Sequence, residues 1–366
     1  MSFANKVAKL KTFYQDCGTT EAERCGKFVQ NMRDLLAEKD GKSKMVPEDF
    51  SIKEIYEAVH PSAFPIVTGE LISKKVMKAY EMASGIGDQL VDTFKSNLMV
   101  DRIVGFSTGG TIEKVEKGGP YQHTGVIEEK WAQAIGSKYG KILDIHEETL
   151  LFDQTGNILR QAGKIGEDAA IYREKMIINM VQDIAGYYAW YVGSADGTAT
   201  RTAIYGTGTT APHRRSNQIT NALVNHTDIN AAVTLLGLQV DEKLDPIVVT
   251  PKILLVPVAL QMVAMQVVGS TVILGGANAE PNPWAGKYKV LSSPYLDAQS
   301  SIAWYLGDFK KQFIWKEVIP LQVLTRRDDK NEAAWERDVK AQFKVRFYGD
   351  AKATDCPYVC KSTGAV

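Results

Sequence analysis

The sequence has no surplus of charge of either sign. Its 43 Lys and Arg residues balance 43 Asp and Glu residues over 366 positions, so the formal net charge is zero. A protein that holds nucleic acid on its own usually shows a basic excess, because phosphate contacts come from Lys and Arg. That excess is missing overall, leaving room only for a local basic face. Neutrality also removes long-range self-repulsion, which suits a protein that crowds against its own copies, as it suits many enzymes. Cysteine is scarce at four residues, which excludes a disulfide-built scaffold. Histidine, at five residues, offers few candidates for acid–base catalysis. No apolar run reaches bilayer-spanning length. The start Met1-Ser2-Phe3-Ala4-Asn5-Lys6 lacks the apolar core of a secretory signal. A cytoplasmic setting without a membrane partner is therefore expected. The remainder is ordinary, 45% hydrophobic and 23% charged, which excludes disordered and collagen-like classes. The length allows two or three compact bodies.

Signatures of chemistry are equally thin. The run Gly206-Thr207-Gly208-Thr209-Thr210-Ala211 fits the dinucleotide pattern G-x-G-x-x-A, with Asp228 twenty residues beyond Gly208. That pattern needs a buried strand before it and an amphipathic helix after it. Thr200-Arg201-Thr202 and Pro212-His213-Arg214-Arg215 stand there instead, so a Gly/Thr surface loop is the better reading. Gly136-Ser137-Lys138-Tyr139-Gly140-Lys141 is one residue short of a phosphate loop, and Ile142 occupies the magnesium-binding Ser/Thr position. Asp144, His146 and Glu148 would share one face of a strand. Three such groups could bind a metal, but a solvated or subunit-contacting polar face is the expectation. Cys356 and Cys360 would be about 13 Å apart on an extended strand, too far to bond each other, and no second Cys/His pair follows to complete a zinc site. No catalytic residue, cofactor site or metal site is expected.

What is present is a distinctive order of segments. Residues 1–45 carry helical spacing at Val7, Leu10, Phe13 and Tyr14 and at Phe28, Met32, Leu35 and Leu36, with a break at Asp40-Gly41-Lys42-Ser43-Lys44. Residues 50–83 look helical with interruptions at Pro61 and Pro65. Residues 102–148 are glycine-punctuated, strand-like and rich in mixed charge, notably Glu113, Lys114, Glu116, Lys117, Glu128, Glu129 and Lys130. The expectation is a long two-stranded extension with its tip near Gly118-Gly119-Pro120. A lone hairpin is marginal in water, so a neighbouring subunit is the natural surface for it. From 153 to 184 the residues Ile158, Ala162, Ile165, Ala169, Tyr172, Met176, Met180 and Ile184 form one apolar stripe. Asp153 is the expected N-cap of a helix about 45 Å long. Short strand and helix pieces fill 226–320. The strand 339–348 is the cleanest, with Val339, Ala341, Phe343, Val345 and Phe347 alternating with Lys340, Gln342, Lys344 and Arg346.

This order resembles the major capsid proteins of tailed bacteriophages, especially the Mu-like major head subunit group, which share the Hong Kong ninety-seven type fold with encapsulins. The likeness is carried by Pro61-Ser62-Ala63-Phe64-Pro65-Ile66-Val67-Thr68-Gly69, Val104-Gly105-Phe106 and Lys138-Tyr139-Gly140-Lys141. It continues through Ile145-His146-Glu147-Glu148-Thr149-Leu150-Leu151-Phe152-Asp153-Gln154-Thr155-Gly156, Pro251-Lys252-Ile253-Leu254-Leu255-Val256-Pro257, Trp304-Tyr305-Leu306 and Val345-Arg346-Phe347-Tyr348-Gly349. The resemblance implies an α+β chain with four parts. These are an N-terminal helical arm (1–100), an extended β-loop (101–148), a peripheral domain (149–225 and 321–366) holding the spine helix 153–184 and strand 339–348, and an axial α/β domain (226–320). It further implies a non-enzymatic virion protein, assembled in the bacterial cytoplasm into an icosahedral head around double-stranded DNA without sequence-specific binding. Copies of itself, a scaffolding protein and a portal protein would be its partners. An encapsulin-like compartment, another phage structural component, and an α/β enzyme using loop 206–211 are the rival readings.

Overall fold

The computed structural model describes residues 38–39, 42–43, 64–83, 85–106, 114–115, 117, 128–146, 148, 157–184, 191–193, 199–201, 203–207, 216–240, 245–272, 280–326 and 338–365. The helical arm expected before residue 38, the N-cap Asp153 and the loop tip at 118–120 lie outside these residues. Strands β1 (Glu38–Lys39) and β2 (Lys42–Ser43) pair antiparallel. Helix α1 (Phe64–Met82) begins where the sequence suggested an interruption. Pro65 falls in its first turn, where the missing N–H has no intrahelical partner to lose. The one-turn α2 (Gly87–Leu90) leads into β3 (Asp92–Lys95), then β4 (Val100–Phe106), β5 (Glu128–Ile135) and β6 (Ser137–His146). Helix α3 (Asn157–Gln182) is followed by the short strands β7 (Tyr191–Gly193), β8 (Ala199–Arg201) and β9 (Gln218–Ile219). Next come α4 (His226–Gly237), β10 (Ile253–Pro257), α5 (Gln261–Gly269), β11 (Lys289–Ser293), α6 (Pro294–Asp297), β12 (Trp304–Gly307) and α7 (Phe309–Gln312). The chain closes with the long strands β13 (Phe313–Arg326) and β14 (Val339–Ala353) and the short β15 (Val359–Ser362).

The chain divides into two compact units, one of 1–84, 138–172 and 319–348 and the other of 85–137, 173–318 and 349–366. The first unit contains α1, the opening half of α3, β6 and stretches of β13 and β14. Leu71, Ile72 and Val76 of α1 and Ile158, Leu159, Ala162 and Ile165 of α3 are buried. The two helices approach closely because two glycines face α1. A Cβ on Gly166 would collide with the Val76 carbonyl, whereas one on Gly163 would only touch the flexible Lys75 stem. Strand β14 keeps its alternation, with Val339, Ala341, Phe343, Val345 and Phe347 all buried, and it runs five residues past the expected end. The ring of Tyr139 on β6 packs 5.1 Å from Tyr172 and 5.3 Å from Phe347.

The second unit holds a five-stranded sheet in the order β11-β10-β12-β15-β9. β10 pairs parallel with β11 and antiparallel with β12. β15 pairs antiparallel with β12 and parallel with β9. Its core joins Leu254, Val256, Trp304, Leu306 and Cys360 to Ile229, Ala232 and Leu236 of α4 and Ala264, Val267 and Val268 of α5. Two buried polar side chains of this unit are tied to the backbone, as a low-dielectric interior favours. Gln312 Oε1 accepts from the N–H groups of Tyr358 and Val359, and Trp304 Nε1 donates to the Asn221 carbonyl.

Two sequence expectations are corrected in detail. The segment 102–148 is not one two-stranded extension. β4 and β5 pair antiparallel from Val100↔Ile135 to Phe106↔Glu128, but β5 also pairs with β7. The sheet is thus β4-β5-β7-β8, and β6 belongs to another, ordered β3-β13-β14-β6. The buried face of α3 is also broader than the single stripe. Ile158, Ala162, Ile165 and Met180 are buried, Met176 is half-buried, and Tyr172 is largely exposed at the stripe's edge. A second row of Leu159, Gly163, Gly166, Ala170, Ile177 and Val181 is buried beside it. Glycine and alanine carry little hydrophobic signal, so this row is faint in the sequence.

The glycine contact gives a paired prediction. Gly166→Ala should destabilise the protein by about 1–3 kcal/mol through overpacking. Gly163→Ala should be neutral or gain about 0.5–1 kcal/mol from helix propensity. Chemical denaturation of the two variants checks this, and an equal response would refute the close approach. Phe343→Asp, a charge on a wholly buried strand face, should prevent folding, which circular dichroism and thermal melting would register.

Candidate functional site

The β4–β5 hairpin is rooted on a buried lysine. Trp315 and Lys316 are neighbours on β13, so their side chains leave opposite faces of the strand, and both are buried. The Lys316 side chain has no exposed surface, and its Nζ lies 2.7 Å from the Asp101 carboxylate. The same Nζ donates to the carbonyls of Ala134 at 3.1 Å and Met99 at 3.2 Å. One ammonium thereby meets both strands of the hairpin, β4 through Asp101 and β5 through Ala134. Burial alone would raise the Asp101 pKa. Hydrogen bonds from Lys316 and Ser96 and the Lys316 charge overcome this and hold the carboxyl below its ordinary range.

Further bonds fix the root. Gly136 N–H donates to the Met99 carbonyl, and Ile135 N–H donates to the Asp350 carboxylate. Burial pushes the Asp350 pKa up, against the opposing effect of Lys352 and two backbone N–H donors. On the other face of β13, Arg173 of α3 lies over the Trp315 ring at 5.1 Å and pairs with Asp88 at 2.6 Å. Glu174 accepts from the N–H groups of Ile86 and Gly87. A Cβ on Gly349 would strike the Trp315 ring, so that glycine is required for the indole to seat.

The residues singled out in the loop fall as follows. Lys114 and Lys117 are exposed, and Glu113 and Glu116 lie outside the described residues. Glu128, Glu129 and Lys130 lie on β5. Lys130 is opposite Gly105, Glu128 is opposite Phe106, and Glu129 is the extra residue of a bulge. The Lys316 root is made by other residues, and sequence reasoning passed over both Lys316 and Asp101. The available signal was weak. Lys316 shares its strand face with Ile314 and Val318, an apolar setting that an exposed lysine rarely has.

The sequence's chemical motifs are engaged in structure. Gly206 N–H donates to Asn217 Oδ1, while Asn217 Nδ2 donates to the carbonyls of Ile204 and Cys356. The Asp228 carboxylate accepts from Val224 and Asn225 N–H as half of a capping box that starts α4. Both groups are thus occupied by local structure, which does not favour a dinucleotide. Asp144 accepts a hydrogen bond from Gln342, and among the described residues no three metal-ligating side chains converge. Cys356 and Cys360 are buried and unbridged, and burial pushes the Cys360 thiol up to about 12. Among the described residues no helix is long and apolar enough to cross a membrane.

Residues 134–356 match the family model described as phage capsid protein. The chain belongs to the phage capsid protein family. The fold agrees. This capsid protein superposes on a structure titled as the capsid of a native GTA particle computed with C5 symmetry. The TM-score is 0.50 at 12% identity, covering 78% of this chain and 91% of that one. The corresponding empty particle gives 0.50 at 12%, covering 78% and 90%. A structure from Mycobacterium phage Bobi gives 0.45 at 11%, covering 76% and 90%. No curated protein matches the chain. The capsid protein is a structural shell component, and neither an enzyme nor an encapsulin-like compartment is the favoured reading.

The buried pair makes a stability prediction. Lys316→Met leaves an unpaired carboxylate in the interior and should cost about 3–5 kcal/mol. Lys316→Met combined with Asp101→Leu should recover most of that loss. The Asp101 carboxyl is held below its unfolded value, so its contribution is complete at neutral pH. It is lost as pH falls below about 4 and through the depressed folded value. Urea titrations from pH 7 to pH 2 should show this acid-dependent loss in the natural protein and a smaller one in the double variant. Equal slopes would contradict it.

Proposed function

We propose that this protein self-assembles into a closed icosahedral head around double-stranded DNA, with the β4–β5 hairpin as the arm that each subunit extends over its neighbour. The family match over 134–356 carries this reading. The hairpin's construction supports the arm: its root is a dense polar and apolar joint, whereas Lys114 and Lys117 beyond it are exposed. The mixed charges Glu113, Lys114, Glu116, Lys117, Glu128, Glu129 and Lys130 then set register between subunits more than they add affinity. Exposed ion pairs contribute only about 0–1 kcal/mol each. Cohesion comes from many moderate contacts acting together.

In this reading α3 and β14 stiffen a peripheral plate, with the stripe Ile158, Ala162, Ile165, Tyr172, Met176 and Met180 along its spine. The expected ranges, 149–225 and 321–366 for the plate and 226–320 for the axial part, shift because Gln218–Ile219 and Val359–Ser362 join the sheet of β10, β11 and β12. That sheet with α4 and α5 forms the axial part that gathers at the five-fold and six-fold positions, and within 1–100 the residues ahead of α1 form an N-terminal arm distinct from the hairpin. The absence of net charge suits a wall that encloses DNA without reading it. Assembly takes place in the host cytoplasm with a scaffolding protein and a portal protein.

The test is a deletion of Gly109–Glu129, leaving Lys316, Asp101 and Ala134 in place. The expected product is soluble, has near-natural circular dichroism and forms no closed shells in negative-stain micrographs. Normal particles from the deleted chain would remove the hairpin from the assembly mechanism.

A further inference from the structure

We infer that one end of the five-stranded sheet, carrying Lys252, Lys287, Lys289, Lys310 and Lys311, is the face through which this chain holds the phosphate backbone of double-stranded DNA. The inference rests on the shell reading and deepens it by naming the surface turned to the enclosed DNA. The lysines come from three separate stretches of chain, and the sheet brings them together. Ile253 of β10 is the register partner of both Lys289 of β11 and Gly307 of β12. Beside it the Lys289 N–H donates to the Lys252 carbonyl at 2.9 Å, and the Lys252 N–H donates to the Gly307 carbonyl at 3.1 Å. Lys287 is two residues ahead of Lys289, and α7, which follows β12, adds Lys310 and Lys311. All five are exposed.

The basic groups are confined to this end. Residues 253–286 and 290–309, which supply the rest of β10, β11, β12, α5 and α6, contain no Lys or Arg. Past the far end of β11 stands an acid instead, Asp297, which accepts from the Val258 and Ala259 N–H groups. Nor is the positive charge cancelled locally. Among the described residues only Lys252 of the five meets a carboxylate, that of Asp308 at 2.7 Å. Lys289 donates to the neutral Gln89 side chain at 2.6 Å. Lys287 and Lys311 lie over the rings of Trp284 and Tyr358 at 4.9 and 5.5 Å. Two acids on adjoining segments are engaged elsewhere, Asp88 with Arg173 and Asp355 with the Cys356 N–H.

The composition of the face selects the partner. Lysine is depleted from protein–protein interfaces, whose centres are apolar or aromatic. Phosphates are met by flexible point charges that hold a duplex without reading its sequence. A chain of zero net charge attracts a polyanion through such a local concentration of cations.

The test compares two variants of the full chain. In the first, Lys287→Gln, Lys289→Gln, Lys310→Gln and Lys311→Gln are combined, leaving the Lys252–Asp308 pair intact. The second loses equal charge at exposed positions of the other unit, through Lys74→Gln, Lys78→Gln, Lys138→Gln and Lys164→Gln. Fluorescence anisotropy reads binding to a labelled duplex of about 30 base pairs, between about 50 and 200 mM salt. The first variant should bind about tenfold or more weakly at the lower salt, with a log–log salt slope shallower by about three to four, one per lysine removed. The second should keep the natural slope, and both should melt as the natural chain does. No duplex binding by the natural chain, no loss in the first variant, or equal loss in both would overturn the inference and leave shell formation standing. Poly-glutamate bound more tightly than the duplex would assign the face to an acidic protein segment and overturn it as well. Duplex binding lost only in the first variant, from a natural chain that forms no particles in micrographs, would sink the shell reading alone.

Discussion

Lys316 must keep its charge where water cannot reach it, and that constraint organises the base of the β4–β5 hairpin. An ammonium with no exposed surface is tolerated only when a counter-charge and backbone acceptors replace its hydration. Asp101 provides the charge, and the carbonyls of Ala134 and Met99 provide the rest. These acceptors come from both strands of the hairpin and from the turn that leads into it, so satisfying one lysine fixes all three. The arrangement sets direction as well as stability. A purely apolar joint of the same size could slip, whereas a hydrogen-bonded ion pair has one geometry.

The opposite face of β13 repeats the logic with different groups. Trp315 lies beneath Arg173, whose charge is in turn taken by Asp88, and Glu174 caps the two N–H groups that begin α2. Two adjacent residues of α3 thus hold the segment that runs into β3.

Two groups of the dinucleotide-like pattern have local structural roles. The Gly206 N–H that opens it donates to Asn217, and the acid that would have met a ribose is a helix cap. The apolar residues Phe94, Leu98, Met99, Val100 and Ile135 around β3 are exposed.

The sequence by itself determined the order of elements and the strongest periodic ones. Strand β14 was legible because alternation of Val, Ala and Phe with Lys, Gln and Arg directly encodes one buried face, and α3 because its apolar residues recur at helical spacing. The segment order was specific enough to point to a capsid family. Tertiary structure decided what periodicity cannot encode. Gly163 and Gly166 widened the buried face of α3, β6 left the hairpin for another sheet, and Lys316 and Asp101, far apart in the chain, became one buried pair. Burial of a charge depends on which distant group arrives opposite it, and a linear pattern reports a residue's type but not its partner.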